Sequence, residues 1–374
     1  MILTGFLQWR MTQAFDVCIR GDAIVGRSLA LLLARERIRV AICRSPRSGN
    51  AQADVRAYAL NRASRELLDG LRVWPSQATP VRAMQVWGDE GGRIDFTAPK
   101  ASGEIAWLLD AQLLEDQLAQ ALRFATSVQY VDAPEDVRVA LTVVCEGKDS
   151  STRQALGAGW SARPYDHKAL AGRLLGEHPH GGVARQWFMG ADILALLPMG
   201  GEQGREMALV WSVPLERAER LQALSASEFT HALQSALPAD VGALTLSSDI
   251  MAWPLQLAQA QRWVGPGWAL AGDAAHTVHP LAGQGLNLGL ADARELARVL
   301  GAREYWRDLG DLRLLRRYER ARKADVLAMG LITDGLQGLF SHTDARWQAL
   351  RNWGMNAVGA NPFIKSWLTR QAMG

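Results

Sequence analysis

Short apolar runs and stretches of helical period alternate along the chain. Phe15 to Ile19 is a β-rich run, Gly21 to Gly26 a glycine turn, and Ser28 to Glu36 predicts a helix displaying Leu29, Leu31, Leu32 and Leu33. Arg39 to Cys43 supplies a second strand, completing a βαβ unit of the kind that holds a pyrophosphate on its helix N-terminus. Residues 54 to 60 lead into a helix through Leu68, and residues 81 to 96 form a hairpin turning at Gly91-Gly92. Leu108 to Leu122 has a helical pattern, and Val139 to Val144 is a buried strand. The period then changes. Over residues 182 to 213, VARQWFM, ILALLPM and MALVWSV alternate around Gly200-Gly201, which predicts an antiparallel sheet in a second lobe, with an inner face able to line a pocket. Trp268 to Ala271 is another short buried strand, and helical patterns run from Gly285 through Leu300 and from Leu312 to Leu339. The fold class expected is α/β, with a parallel-sheet lobe, an inserted antiparallel sheet and a C-terminal helical tail.

Composition narrows the function classes. With 374 residues the chain can bury a large core in two interlocked lobes. A hydrophobic share of 48% beside 21% charge excludes disorder, and no apolar run is long enough to cross a bilayer. The net charge of +3 comes from 41 basic and 38 acidic residues spread along the chain; it argues neither for nor against a nucleic-acid partner, and with nothing else pointing to one none is expected. Cys18, Cys43 and Cys145 lie in apolar β-like stretches without metal-ligand spacing, which predicts buried thiols, a reducing cytoplasmic setting and no metal. Met1 to Ala14 hold no small-residue cleavage site, and Met11 offers an alternative start.

Candidate chemistry gathers where strands stop. Trp268-Ala269-Leu270-Ala271 runs into Gly272-Asp273 and then, past Pro280, into a helix opening at Gly283-Gln284-Gly285-Leu286-Asn287. Glycine lets backbone approach a flat ligand, and first-turn N–H groups with the positive end of the helix dipole favour negative charge, so this stretch suits an anionic cofactor. In the first turn, Gly21, Ala23 and Gly26, Ala23 stands in place of the pattern's second glycine and Asp22 puts a carboxylate near the phosphates. Arg44 ends the second strand where an acid would hold an adenosine ribose; it can instead meet a phosphate or stack on adenine. Arg56 can pair with a phosphate or a ring carbonyl. Glu146-Gly147 ends a further strand. Strand ends at Gly21, Gly147 and Gly272 thus all pair glycine with polar neighbours, at the edge where open α/β sheets bind ligands.

The set Gly21 to Gly26, Asp54-x-Arg56, Glu146-Gly147 with Ser150 and Arg153, and Gly272-Asp273-Ala274-Ala275-His276 with Pro280 and Gly283-Gln284-Gly285-x-Asn287 resembles the flavin-dependent aromatic hydroxylases built like para-hydroxybenzoate hydroxylase. The resemblance runs from about Phe15 to Gly374. Tyr165, Gln186-Trp187-Phe188, Leu196-Leu197-Pro198, Val210-Trp211, Tyr318-Glu319-Arg320 and Thr333-Asp334 are similar to the ubiquinone-biosynthesis branch, whereas Glu146 and His167 depart from its usual Asp and Gln. It implies a discontinuous Rossmann-like FAD lobe (15–80, 104–158, 253–305), an inserted substrate sheet (81–103, 159–252) and a C-terminal helical region (306–374). FAD is then held by Gly21, Ala23, Gly26, Arg44, Arg56, Glu146, Gly147, Gly272 and Asp273, with Asp273 on the ribityl chain. Pro280, Gly283, Gln284, Gly285, Leu286 and Asn287 border the flavin ring.

The activity implied is reduction of FAD by NADH or NADPH, reaction with O2, and delivery of one oxygen atom to an electron-rich, polyprenylated phenol in an apolar pocket that excludes water. The flavin carries the chemistry, and no side chain is singled out as a base. Such a substrate implies work at the inner face of the cell membrane, beside other ubiquinone-biosynthesis proteins. The contact this implies is peripheral, through Leu331, Leu336, Leu339 and Phe340 with Arg316, Arg317, Arg320, Arg322 and Lys323, whereas the broad face of Leu327, Leu331, Leu336 and Phe340 taken alone favours packing on the protein's own core. The rival reading is a flavin-poor relative acting as a scaffold or binding subunit of a quinone-biosynthesis complex; the intact stretch from 272 to 287 favours the enzyme.

Overall fold

The structure, a computed structural model, describes residues 15–44, 55–88, 91–98, 103–132, 137–201, 203–277 and 284–341, without the side chains of Gln284 and residues 328–341. The chain runs β1 (Val17–Arg20), α1 (Ile24–Arg35), β2 (Val40–Cys43), β3 (Ala57–Leu60), α2 (Arg62–Leu71), β4 (Thr79–Val81), β5 (Ala83–Trp87) and β6 (Arg93–Thr97). It continues β7 (Ala106–Asp110), α3 (Ala111–Leu122), β8 (Val128–Val131), β9 (Leu141–Val144), α4 (Ser151–Ala155), β10 (Trp160–Gly176), β11 (Val183–Met189), β12 (Asp192–Pro198) and β13 (Glu206–Pro214). Then come α5 (Leu215–Gln222), α6 (Ala226–Ala236), β14 (Leu244–Leu246), β15 (Met251–Ala260), β16 (Val264–Gly265), β17 (Trp268–Leu270), β18 (His276–Thr277), α7 (Gln284–Gly301) and α8 (Leu312–Ser341).

The first sheet has the order β16-β17-β9-β1-β2-β8 and is parallel except where β16 meets β17. Its central strands are short, continuous apolar runs, the pattern of strands covered on both faces, and Val17, Ile19, Val40, Ile42, Leu141, Val143, Ala269 and Leu270 are fully buried. At the turn from β1 into α1, a Cβ on Gly21 would lie 2.3 Å from the Cys145 carbonyl oxygen and one on Gly26 2.0 Å from the Gly21 oxygen, so side chains are excluded at both. The larger sheet has the order β18-β15-β10-β13-β12-β11-β5-β6, with β14 paired to β10. Leu170, Leu174, Leu194, Leu209 and Trp211 on one of its faces pack beneath Phe229 and Leu233 of α6. Residues between them along the strands, among them Arg173, turn the opposite way, and Arg173 reaches Asp110 at 2.5 Å and the Arg56 carbonyl at 3.2 Å. That second face therefore looks toward β3 and β7. A three-stranded sheet, β3-β7-β4, packs with both: Leu60 and Leu109 join the core of the parallel-sheet lobe, and Val81 and Leu108 cluster with Ala184, Met199 and Ala208 of the larger sheet.

Several expectations shift. The pattern from Leu108 to Leu122 divides into β7 and α3, because the Asp110 carboxylate accepts from Gln112 N and Leu113 N and caps the helix there. The first helix begins at Ile24, four residues before Ser28. A lobe boundary at 253 cuts through β15, which pairs with β10 from Met251 to Ala260 and belongs to the larger sheet.

Candidate functional site

The ends of β1, β9 and β17 lie side by side, because the three are neighbouring parallel strands. At the first, Ala23 is the N-cap of α1 and offers no side-chain acceptor, so the first-turn N–H groups remain available to an anion. Asp22 is not a bare like charge: its carboxylate lies 3.8 Å from the Arg27 guanidinium, which also donates to the Glu115 carbonyl at 2.8 Å. Beside this turn lies a cavity of about 810 Å³ lined by Asp22, Arg27, Arg44, Arg123, Thr126 and Tyr130. The Arg44 guanidinium sits 5.1 Å from the centre of the Tyr130 ring.

At the second end, Glu146 is committed to its own loop. It accepts from Ser150 Oγ at 2.7 Å, Thr152 Oγ1 at 2.6 Å and Thr152 N at 3.2 Å, and pairs with Arg20 at 3.6 Å. Ser150 caps α4, and buried Arg153 donates to the Lys148 carbonyl at 2.8 Å and the Ala274 carbonyl at 3.3 Å, tying this loop to the third strand end. A Cβ on Gly147 would meet nothing within 4 Å, so its backbone fronts open space.

The third end is the most heavily built. Gly272 has φ +62°, and Asp273 follows in a short helical turn that leads to β18. Asp273 is exposed, yet the protein around it desolvates its carboxyl and raises its pKa, an effect Asp292 adds to and His276, Arg56 and Lys148 oppose. Beneath it, the fully buried Asp292 accepts from Gly272 N at 2.9 Å and Arg322 Nε at 2.8 Å, and its Oδ2 lies 2.6 Å from His276 Nε2. His276 stacks on Trp263 with ring centres 5.0 Å apart.

Sequence reasoning passed over Asp292 and Trp263, and it set Arg322 among residues facing lipid. Arg322 is 5% exposed and bonded to Asp292, so it is a core residue. The readable signal was Asp292 itself, a carboxylate between Leu288 and Leu296 on the apolar stripe of α7.

Asn287, expected at the flavin ring, uses its amide within the protein: it donates to the Ala59 carbonyl at 2.8 Å and accepts from Asn61 N at 3.0 Å and Ser64 Oγ at 2.7 Å. It thereby fixes the turn after β3, near Arg56. Arg56 is exposed, 5.8 Å from the centre of the Tyr58 ring. Leu286 is buried, and a Cβ on Gly285 would meet open space. Pro280, Gly283 and the Gln284 side chain lie outside the described residues. The three cysteines are buried, with burial pushing the Cys145 thiol pKa up and a contact with Cys43 doing the same for Cys18, so neither is a ready nucleophile. Among the described residues no His, Cys, Asp and Glu cluster could hold a metal ion.

These features fit an FAD. The first-turn N–H groups of α1 can take the pyrophosphate, Gly147 and Gly285 leave space where a side chain would intrude, and Thr277 Oγ1 is buried with no partner among the described residues.

Comparison with known proteins agrees. A family described as FAD binding domain matches residues 110–329. The ubiquinone hydroxylase UbiL of Rhodospirillum rubrum is 30% identical over 99% of this chain and 92% of its own. The 3-demethoxyubiquinol 3-hydroxylase of Escherichia coli is 29% identical over 97% and 99%. Among solved structures, the p-nitrophenol 4-monooxygenase PnpA of Pseudomonas putida DLL-E4 superposes with a TM-score of 0.77 at 17% identity, covering 96% of this chain and 98% of its own, a likeness of fold. The chain belongs to the FAD-binding-domain family and, within it, to the FAD-dependent aromatic hydroxylases of the ubiquinone-biosynthesis branch.

Proposed function

We propose that this protein hydroxylates the ring of a polyprenylated phenol, a ubiquinone precursor, with NADH or NADPH and O2 as co-substrates. One observation carries the reading. The strand that follows Asp273, β18, pairs directly with β15 through Ala258 with Thr277 and Gln259 with His276, so the flavin seat and the inner face of the larger sheet share a wall. That face presents partly exposed apolar side chains across neighbouring strands: Met251 and Trp253, Val210, and Ile193, Ala195 and Leu197. An apolar ring laid there would lie against the seat and displace water from it.

FAD, when bound, supplies the transfer of electrons from the nicotinamide to O2 and of oxygen to the ring. The protein's part is to bind, orient and exclude water. Asp273 would hold the ribityl hydroxyls, and the N-terminus of α7 would favour negative charge on the reduced ring. Ser212, 5% exposed, lies on the inner sheet face opposite Ala169 and Ile193, and its Oγ has no partner among the described residues. It is suited to bond a polar substituent of the phenol, because an unpaired buried hydroxyl gains from a ligand that satisfies it. Relatives named ubiquinone hydroxylase and 3-demethoxyubiquinol 3-hydroxylase support the substrate class.

The purified protein should be yellow, oxidise NADH or NADPH, and form hydroxylated product when given a prenylated phenol. A colourless protein that leaves the nicotinamide unoxidised with FAD added would favour the scaffold reading. Asp273→Ala should raise the FAD dissociation constant about tenfold to a hundredfold, the value of a lost charge-assisted hydrogen bond.

The proposal extends to location: a cytoplasmic protein working at the inner face of the membrane. No helix among the described residues is long and apolar enough to cross a membrane. Arg313, Arg316 and Arg320 are exposed on α8 at i, i+3 and i+7, and Leu327, 53% exposed, continues the same stripe. The side chains of Leu331, Leu336, Leu339 and Phe340 lie outside the described residues.

A further inference from the structure

Helix α8 reaches the flavin seat through one face. Tyr318 Oη donates to the Leu270 carbonyl at 2.8 Å, Glu319 accepts from Trp263 N at 3.0 Å, Lys323 Nζ donates to the Gln261 carbonyl at 2.8 Å, and Arg322 Nε donates to Asp292 at 2.8 Å. Residues 318, 319, 322 and 323 are one turn apart in pairs, so a single side of the helix clasps β16, β17 and the turn that follows. Arg322 also donates to the Leu288 carbonyl of α7 at 3.3 Å and to Asp325 at 2.5 Å. Asp292 is the hub. Its carboxylate holds the Gly272 N–H, one residue before Asp273, and His276, three residues after it. Both ends of the segment that presents Asp273 are therefore pinned to one buried anion, whose counter-ion comes from α8.

We infer that Asp292 is a positioning residue of the flavin seat and that Arg322 makes the C-terminal helix a working part of that seat. The inference rests on the reading that Asp273 holds the ribityl chain. A buried carboxylate with several charge-assisted hydrogen bonds keeps its geometry because every alternative leaves a charge unpaired. With Arg322 gone, Asp292 loses its arginine counter-ion and keeps only Gly272 N and His276 as partners, so the segment they hold shifts and Asp273 drifts from the ligand. The distal half of α8, residues 328–341, is continuous with this clasp.

The test compares Arg322→Gln, Arg322→Lys, Asp292→Asn and Asp273→Ala as full-length proteins titrated with FAD. Arg322→Gln and Asp292→Asn should raise the FAD dissociation constant about tenfold and shift the visible spectrum and midpoint potential of the flavin that remains, with far-ultraviolet circular dichroism unchanged. Arg322→Lys should restore most of the affinity. Folded variants whose affinity, spectrum and potential match wild type, beside an Asp273→Ala protein that loses flavin, would overturn the inference alone. Retention of flavin by Asp273→Ala would instead remove the seat reading beneath it. Should the Arg322 and Asp292 variants fail to fold, hydrogen exchange of the wild-type protein decides: FAD should slow exchange in residues 312–327 together with 270–277, and an α8 indifferent to FAD would refute its role.

Discussion

Arg44 stands where this architecture commonly places an acid, and its surroundings fit the proposal that it is itself a ligand group. Its guanidinium lies 5.1 Å from the centre of the Tyr130 ring, and both line the cavity beside the β1–α1 turn, where an adenine or a phosphate would come. From sequence alone, Arg44→Glu tightens FAD binding if the adenosine end sits as in relatives. The geometry argues the reverse: the substitution should weaken FAD about fivefold to tenfold, the worth of a lost stacked or charge-assisted contact, and tighter binding by titration would restore the ribose role of an acid. Asp292 gives a pH-dependent counterpart. Burial alone would raise its carboxyl pKa, but the charges and hydrogen bonds of His276 and Arg322 outweigh burial and hold it below the usual carboxylate value of 3.8. A depressed native pKa gives stability that is present above the unfolded value and is lost as pH falls through the native one, so denaturant midpoints should fall more steeply in acid below about pH 4 for wild type than for Asp292→Asn. Gly272 and Asp273 were legible in the sequence because their neighbours in the chain form the motif. Asp292 was not, because His276 and Arg322 lie 16 and 30 residues away and only folding brings them together.

At the scale of elements, the sequence shows a helix or strand clearly where one face is apolar and the cap is local. The hairpin of β5 and β6, the antiparallel run β11 to β13 and the helix after Gly285 all appear where periodicity puts them. Strand β10 does not, although it spans Trp160–Gly176 and pairs with β13, β14 and β15. Its register with β15 shifts between Pro164 and Lys168, and Asp166 within the shift has φ +26°, so the two-residue period is broken and the two halves do not align as one pattern. Asn287 shows the same limit for a site residue. Beside the place at the ring that the resemblance implies, its bonds to Ala59, Asn61 and Ser64 make it a strut between α7 and the β3–α2 turn. Asn287→Ala should therefore lower the stability of the protein by about 2–3 kcal/mol, from hydrogen bonds lost and partners left unpaired. A chemical denaturation midpoint measured without FAD checks this, because a residue acting only on the flavin would leave that midpoint unmoved.

For the molecule as a whole, the proposed bilayer-resident substrate and a chain with no spanning helix among its described residues must be reconciled, and α8 is the element we propose for it. It starts after Gly310 beside the start of β9, meets Leu270 at the end of β17 through Tyr318 and Asp292 beneath the Asp273 turn through Arg322, and continues from there to Ser341. A basic stripe of Arg313, Arg316 and Arg320 leads along it to exposed Leu327. Arg317, although exposed, is already paired with Glu304 at 2.9 Å and is the weaker candidate for lipid. Each basic side chain near an anionic surface contributes about 1 kcal/mol of attraction, which decays within a Debye length. The wild-type protein should accordingly float with anionic liposomes at low salt and detach as salt rises. Replacing Arg313, Arg316 and Arg320 together by Gln should weaken association at least about tenfold while flavin content stays unchanged, since none of the three touches the seat. Hydroxylation of a long-tailed phenol presented in liposomes should fall in parallel, and hydroxylation of a short-tailed soluble analogue should not. If the wild type stays wholly soluble at low salt, the stripe faces another protein or water, and the substrate is either handed over by a partner or is itself a small soluble phenol.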